Sequence, residues 1–467
     1  MPATAPNPTA PATAPLPVLT ETTAKRLTTR WFALLSVLLA GLAIGGKGFA
    51  YIGLPPLFIS EITLGLGALC FLIQPRWREA LTQPVVVLIL VLMAWGIART
   101  LPYLGEYRLD APRDFMLLGY MATAIFVTAV IMSQPQLLPW VLGKYQGFAK
   151  VFLIVMPPLW LIDVVVHEAM PTWPWASDVG IIMLKPGDMP VHLGAIAALC
   201  VLGLFRGKSL VWMGLLTMLL GVTGMISRGG LASFALAFGI AFLMRPKSAW
   251  ATRLAVIMIT IVTLVAISDV SVQVPGRERE FSARQLLLNV VTIFDSGDAA
   301  GDLDDTKTWR LDWWQTIFDY TIGGEYFWQG KGFGVNLAND DGFQVWLESE
   351  SLRSPHNGHL TVLARAGVPG FVLWCSILGA WCWMMLSAYL QARQRGDQNW
   401  AMFFVLLVAY WTALSFNASV DVYFEGPMGG VWYWAVTGLG IGGAWVYRRH
   451  PEVMNVPHAV PREVDAE

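Results

Sequence analysis

Val85-Val86-Val87-Leu88-Ile89-Leu90-Val91-Leu92-Met93-Ala94-Trp95 is an uninterrupted apolar run with no charged side chain. With its neighbours it supplies the ~20 residues that a helix needs to cross ~30 Å of hydrocarbon, so it reads as a membrane span rather than a core helix. Similar runs start near Trp31, Leu54, Phe115 and Gly147, and shorter ones near Pro190, Leu210 and Gly230. Four more start near Leu254, His359, Trp400 and Met428. The chain therefore reads as an all-α polytopic membrane protein with about 12 transmembrane helices. Composition agrees: of 467 residues, 55% are hydrophobic and only 13% charged, with 22 Trp. A formal net charge of -1 excludes duplex nucleic acid as a partner, because such binding needs a dense Lys/Arg surface.

Basic residues set the expected orientation. Lys25, Arg26 and Arg30 precede the first span, and Arg76, Arg78, Lys144, Arg206, Lys208, Arg245, Lys247, Arg393, Arg395, Arg448 and Arg449 mark every second connection after it. The positive-inside rule then puts both termini in the cytoplasm. The expected divisions are a disordered tail over 1–30, spans 1–9 over 31–268, a long outer loop over 269–355, spans 10–12 over 356–447 and a cytoplasmic tail over 448–467. Met1 to Pro17 alternates Pro, Ala and Thr and lacks the basic region and apolar core of a signal peptide. Within the outer loop, Ala283 to Phe294 and Thr308 to Tyr320 have helical spacing and read as interfacial helices, the second rich in Trp. The links Asp295 to Asp305 and Gly330 to Gly342 read as turns. Cys70, Cys200, Cys375 and Cys382 lie in apolar runs without metal or redox spacing, and read as packing residues.

Cations on the outer face run against the charge bias and mark candidate function. Arg228, in Ile226-Ser227-Arg228-Gly229-Gly230, sits at an outer turn where glycines let a large anion approach the backbone. Anchoring a helix end by snorkelling is the alternative. Arg310 lies in Trp309-Arg310-Leu311-Asp312-Trp313-Trp314, and either holds a phosphate at the interface or pairs with Asp312. Arg108, Arg113, Arg277, Arg279, Arg284 and Arg353 have no distinctive setting and read as mostly solvated. Asp302, Asp304 and Asp305 lack the pattern of a calcium loop and read as a flexible acidic turn, so no metal enters the scheme. In Ser354-Pro355-His356-Asn357-Gly358-His359-Leu360, two imidazoles stand three apart at the membrane boundary. Both face one pocket if the helix starts near Pro355, although the same residues also form an ordinary turn.

Taken together, these residues resemble the O-antigen ligase and polymerase superfamily of bacterial envelope glycosyltransferases. Ser227-Arg228-Gly229 is similar to the family's outer-face Ser-Arg motif. Arg310 to Trp314 is followed by Gly330-Lys331-Gly332-Phe333-Gly334, which looks like its Gly-x-Gly-x-Gly turn. Pro355-His356-Asn357, with the later Gly367 and Gly370, looks like its His-Asn motif and downstream Gly-x-x-Gly. The resemblance implies a C-type glycosyltransferase scaffold in the inner membrane that moves a glycan from undecaprenyl pyrophosphate to an acceptor hydroxyl on the periplasmic face, without nucleotide sugar, cofactor or metal. It implies His356 as the essential histidine and Arg228 and Arg310 as pyrophosphate-side arginines, with Asn357 and His359 as further substrate-binding candidates. Ligation to lipid A-core is the favoured reading within the family. Repeat-unit polymerisation and transfer to protein use the same chemistry. From another class, an anion or lipid-linked glycan transporter would place polar groups near the midplane, where Glu61 and Asp163 are the only acidic candidates in the spans.

Overall fold

The computed structural model describes residues 21–166, 169–205, 209–245, 302–347 and 350–454, with residues 256, 260, 271–272 and 281–282. The expected span near Leu254, the helix over Ala283 to Phe294, and His167, Arg277, Arg279 and Arg284 lie outside the described residues. The protein is an all-α multi-pass membrane protein. Its longer helices are α1 (Glu21–Ala50), α2 (Ile59–Leu72), α3 (Pro84–Thr100), α4 (Asp110–Gly119), α5 (Ala122–Ser133), α6 (Leu137–Val165) and α7 (Asp188–Val201). After these come α8 (Ser209–Ile226), α9 (Arg228–Met244), α10 (Asp302–Thr321), α11 (Gly358–Arg395), α12 (Gln398–Val420) and α13 (Pro427–Arg449). Among the described residues, six helical stretches are long and apolar enough to cross a membrane: α1, α3 with its extension to Tyr107, α4 with α5, α6, α11 and α12. Shorter apolar helices lie over Ile59–Leu72, Asp188–Val201, Val211–Ile226 and Arg228–Met244. The strands form small antiparallel pairs, such as Gly53–Leu54 with Leu57–Phe58.

Several expectations shift. Helix α1 begins at Glu21, ahead of its apolar run, because the Thr28 hydroxyl bonds to Gln74 and the Thr29 hydroxyl donates to Gln134 Oε1 at 3.0 Å. Asp302, Asp304 and Asp305 form the first turn of α10 rather than a flexible turn, a position where the helix dipole favours acidic residues. Cys375 and Cys382 face outward from α11, while Cys200 packs inside.

Helix α13 is threaded through the middle of the bundle, and its glycines explain how. A Cβ on Gly438 would lie 2.6 Å from the Ala124 carbonyl oxygen, and one on Gly442 2.8 Å from Ile131 Cβ. Small residues let helix backbones close up in lipid, where packing rather than hydrophobicity drives association. At one end of the bundle Glu79 joins Arg76 (2.8 Å) and Arg449, with Trp445 Nε1 donating to it at 3.0 Å, and Trp400 Nε1 donates to the Pro451 carbonyl at 2.6 Å. The connection after α2 and the end of α13 therefore share one side. Arg228, Arg310 and His356 gather at the other.

Helix α11 is broken on purpose. Gly367 has φ 69°, a left-handed conformation that costs an L side chain energy, and Pro369 follows. The carbonyls freed by the break are all taken up: Lys331 N donates to Ala364 O (2.7 Å), Gly332 N to Arg365 O (3.0 Å) and Trp95 Nε1 to Ala366 O (2.8 Å). The Gly330-Lys331-Gly332 turn thus docks into the break, with Gly330 so close to Arg365 that a Cβ there would lie 2.5 Å from its carbonyl. Gly367→Ala, whose new Cβ would meet the Phe327 carbonyl oxygen at 2.7 Å, is expected to cost about 1–3 kcal/mol. A thermal midpoint in detergent equal to that of the wild type would contradict this.

Candidate active site

The site is built where the N-terminal ends of α7, α9 and α11 and the C-terminal end of α12 meet the flank of α10. His356 sits just before α11 in a left-handed conformation, φ 52°, one that His tolerates better than most residues but that costs about 1 kcal/mol or more. Two contacts hold the turn. Trp314 Nε1 donates to the Pro355 carbonyl at 2.8 Å, and Asn357 Oδ1 caps α11 by accepting from His359 N and Leu360 N, both at 3.1 Å. Trp309, one turn before Trp313 on α10, sets its ring edge-on to the His356 imidazole at 6.4 Å. Trp313 stacks on Phe343 at 5.5 Å and keeps this face of α10 rigid.

The short segment after α12 is the hub. Arg310 Nη1 donates to Val420 O at 2.9 Å. His356 Nδ1 faces Asp421 Oδ1 at 3.4 Å, with the imidazole 16% and the carboxylate 29% exposed. That distance is long for a hydrogen bond. Lys185 Nζ reaches Val422 O at 3.4 Å, and Val422 N donates to Asp421 Oδ1 at 2.7 Å. Burial works against the charge on Asp421, but Lys185, His356 and the Val422 amide outweigh it and hold the carboxyl down to about 2. An ionised carboxylate at Nδ1 favours the Nδ1–H tautomer and leaves the Nε2 lone pair free to accept a proton.

Arg310 and Arg228 are near enough to feel each other. Burial lowers the pKa of the Arg310 guanidinium; Asp421 opposes the drop and the charge of Arg228 adds to it. The Arg310 Nε is shut from solvent and has no hydrogen-bond partner among the described residues. A buried guanidinium donor without a partner among the described residues, within reach of the charge of Arg228, is able to receive an anion. The alternative of an Arg310–Asp312 pair gives way, since the guanidinium turns to the end of α12 and Asp312 stands on the exposed face of α10. Arg228 opens α9 behind its N-cap Ser227, whose Oγ accepts from Gly230 N at 3.0 Å. Gly187 fits against that turn: a Cβ on it would come 3.2 Å from Ser227 Oγ and 3.9 Å from Asp421 Oδ2.

His359 does not share a pocket face with His356. Helical spacing requires both residues to lie in the helix, but α11 starts at Gly358 and His356 lies outside it with reversed φ. Both nitrogens of His359 are engaged, Nε2 with the Ser415 carbonyl (3.0 Å) and Nδ1 with the Trp374 indole (2.9 Å), which suits a packing role. Asn357 spends its carboxamide oxygen on the cap. Asn357→Ala is expected to destabilise the protein by about 1 kcal/mol, and an unchanged melting midpoint would contradict that.

Beside the site lies a buried ionic knot that spacing alone does not reveal. Arg365, inside the first half of α11, pairs with Asp114 at 3.0 Å and donates to Gly332 O (3.2 Å) and Val335 O (3.1 Å). Arg353 is not solvated: it joins the same Asp114 at 3.0 Å and donates to Gly334 O at 3.0 Å. Lys331 is anchored by Asp340 (2.6 Å) and Asp341 (2.5 Å) over the Tyr320 ring. These contacts fix the glycine turn and hence the start of α11. Glu425, accepting from Thr361 Oγ1 at 2.9 Å, ties the loop after Asp421 to α11, and burial raises its pKa. Glu61 accepts from the Tyr120 hydroxyl at 2.8 Å.

No curated protein matches the chain. Residues 213–375, which include Arg228, Arg310, His356 and the glycine turn, match the family model described as O-antigen ligase, and this match supports membership of the O-antigen ligase and polymerase family.

Proposed function

We propose that the protein transfers a glycan from undecaprenyl pyrophosphate to an acceptor hydroxyl on the periplasmic face of the inner membrane, and that it ligates O-antigen to lipid A-core. Twelve spans with both termini cytoplasmic complete this reading, the positive-inside rule supplying the orientation. The observation that carries it is the convergence of Arg228, Arg310 and His356 around Asp421 at one end of the bundle.

The chemistry divides among these side chains. Arg228 and Arg310 clamp the diphosphate and stabilise the negative charge that grows as it leaves. His356 Nε2 takes the proton of the acceptor hydroxyl, whose oxygen bonds to the anomeric carbon as the bond from that carbon to the phosphate oxygen breaks. The electron pair leaves with undecaprenyl pyrophosphate. A single displacement inverts the anomeric centre. Asp421 orients the base, while Asn357 and His359 hold the turn that carries it.

A purified-protein assay with a synthetic undecaprenyl-pyrophosphate glycan and lipid A-core, run in chelator, tests the proposal. Inverted product on the core is the expected outcome. Elongated lipid-linked glycan with no core product would identify a polymerase, and loss of all activity on chelation would overturn the metal-free scheme.

A further inference from the structure

Three consecutive residues, Val420, Asp421 and Val422, each face a different cationic or basic side chain. Arg310 takes the first carbonyl at 2.9 Å, His356 faces the carboxylate at 3.4 Å, and Lys185 takes the last carbonyl at 3.4 Å. Lys185 reaches the hub from the segment before α7, where the Asp188 amide donates back to its carbonyl at 3.0 Å. Its surroundings differ from those of the two arginines. Arg310 feels one carboxylate and a second guanidinium, whereas Lys185 lies near three acidic side chains: Asp421, which it helps to keep ionised, and Asp188 and Glu425, which burial pushes upward, Asp188 to about 7. Asp188 is in turn held by Asn417 Nδ2 at 3.2 Å, and Glu425 by Thr361. Lys185 also lines a small cavity with Asp188, His192, Leu184, Met156 and Met428. A lysine held by the Val422 carbonyl and facing the ionised Asp421, with Asp188 and Glu425 nearby, is already engaged by the protein and is poorly placed to bind diphosphate.

We propose that Lys185 is a positioning residue of the transfer reaction, pinning the Val420–Asp421–Val422 segment and compensating its carboxylate so that Asp421 keeps the His356 imidazole turned toward the acceptor. The inference rests on His356 being the base. Lys185 acts through Asp421 and touches neither donor nor acceptor. Burying a carboxylate without its counter-cation is costly, and the carboxylate answers by moving or taking a proton, either of which releases the imidazole. A misaligned base loses rate while donor affinity stays as it was.

The test is kinetic, on the full-length protein in detergent with the undecaprenyl-pyrophosphate glycan as donor. K185M is expected to lower kcat about 10–100-fold with donor KM unchanged, and K185R to recover most of the loss. In an Asp421→Asn background K185M should cost nothing further, because the residue through which it acts is already disabled. Multiplying losses in the double variant would overturn the proposal, as would a K185M effect confined to donor KM, which would put Lys185 in the diphosphate clamp. If K185M does not fold, K185Q, which keeps the length and polarity but not the charge, carries the same non-additivity test with Asp421→Asn. His356→Ala run alongside keeps the two readings apart: full activity there would remove the base itself, whatever Lys185 does.

Discussion

His356→Ala is expected to lower glycan transfer by about 10²–10⁴-fold, the usual worth of a positioned general base, with folding and membrane insertion intact. The expectation follows from geometry. The imidazole lies outside α11, so its removal leaves the Asn357 cap and the helix in place. It relieves no buried hydrogen bond other than the long contact to Asp421 at 3.4 Å. His356→Gln, which offers an amide but no base, should be as inactive as alanine. An alanine variant that retains full turnover would remove the base from the scheme.

The second large effect belongs to the arginine pair. Arg310→Ala and Arg228→Ala should each reduce kcat/KM by about 10²–10³-fold, because each removes a donor aimed at charge that grows in the transition state. Lysine at either position should restore only part of this, since an ammonium cannot match a phosphate with two parallel donors. Inorganic pyrophosphate should raise the thermal midpoint of the wild type and not that of the double variant. A pyrophosphate shift that survives in the double variant would place the anion elsewhere.

The sequence made part of this legible, and the reason is electrostatic. The charge pattern puts Arg228 and Arg310 on the side of the membrane expected to be poor in cations, and His356 just precedes an apolar run, so each is conspicuous without knowledge of the fold. Lys185 and Asp421 are as central, yet each is one charged residue in an outer segment of mixed character. Only the packing of α7 against α12 brings residues 185 and 422 together. Arg365 is hidden for another reason. It interrupts an apolar stretch in the way a snorkelling residue does, and its partner Asp114 comes from a helix some 250 positions earlier. The pairing of His356 with His359 failed because spacing counts residues, whereas the reversed φ at His356 and the cap at Asn357 take the first imidazole out of the helical register. Gly367 and Gly370 stood out only as a Gly-x-x-Gly pattern, and neither the break at Gly367 nor the insertion of Gly330 and Lys331 that satisfies its carbonyls follows from spacing.

The most direct test of the central claim, one outer-face hollow holding both clamp and base, is to measure donor binding and single-turnover transfer on the same His356→Ala and Arg310→Ala proteins. The account predicts that His356→Ala binds undecaprenyl-pyrophosphate glycan like the wild type but does not transfer it, and that Arg310→Ala loses the binding. Unaltered donor affinity in Arg310→Ala, or normal turnover in His356→Ala, would contradict it.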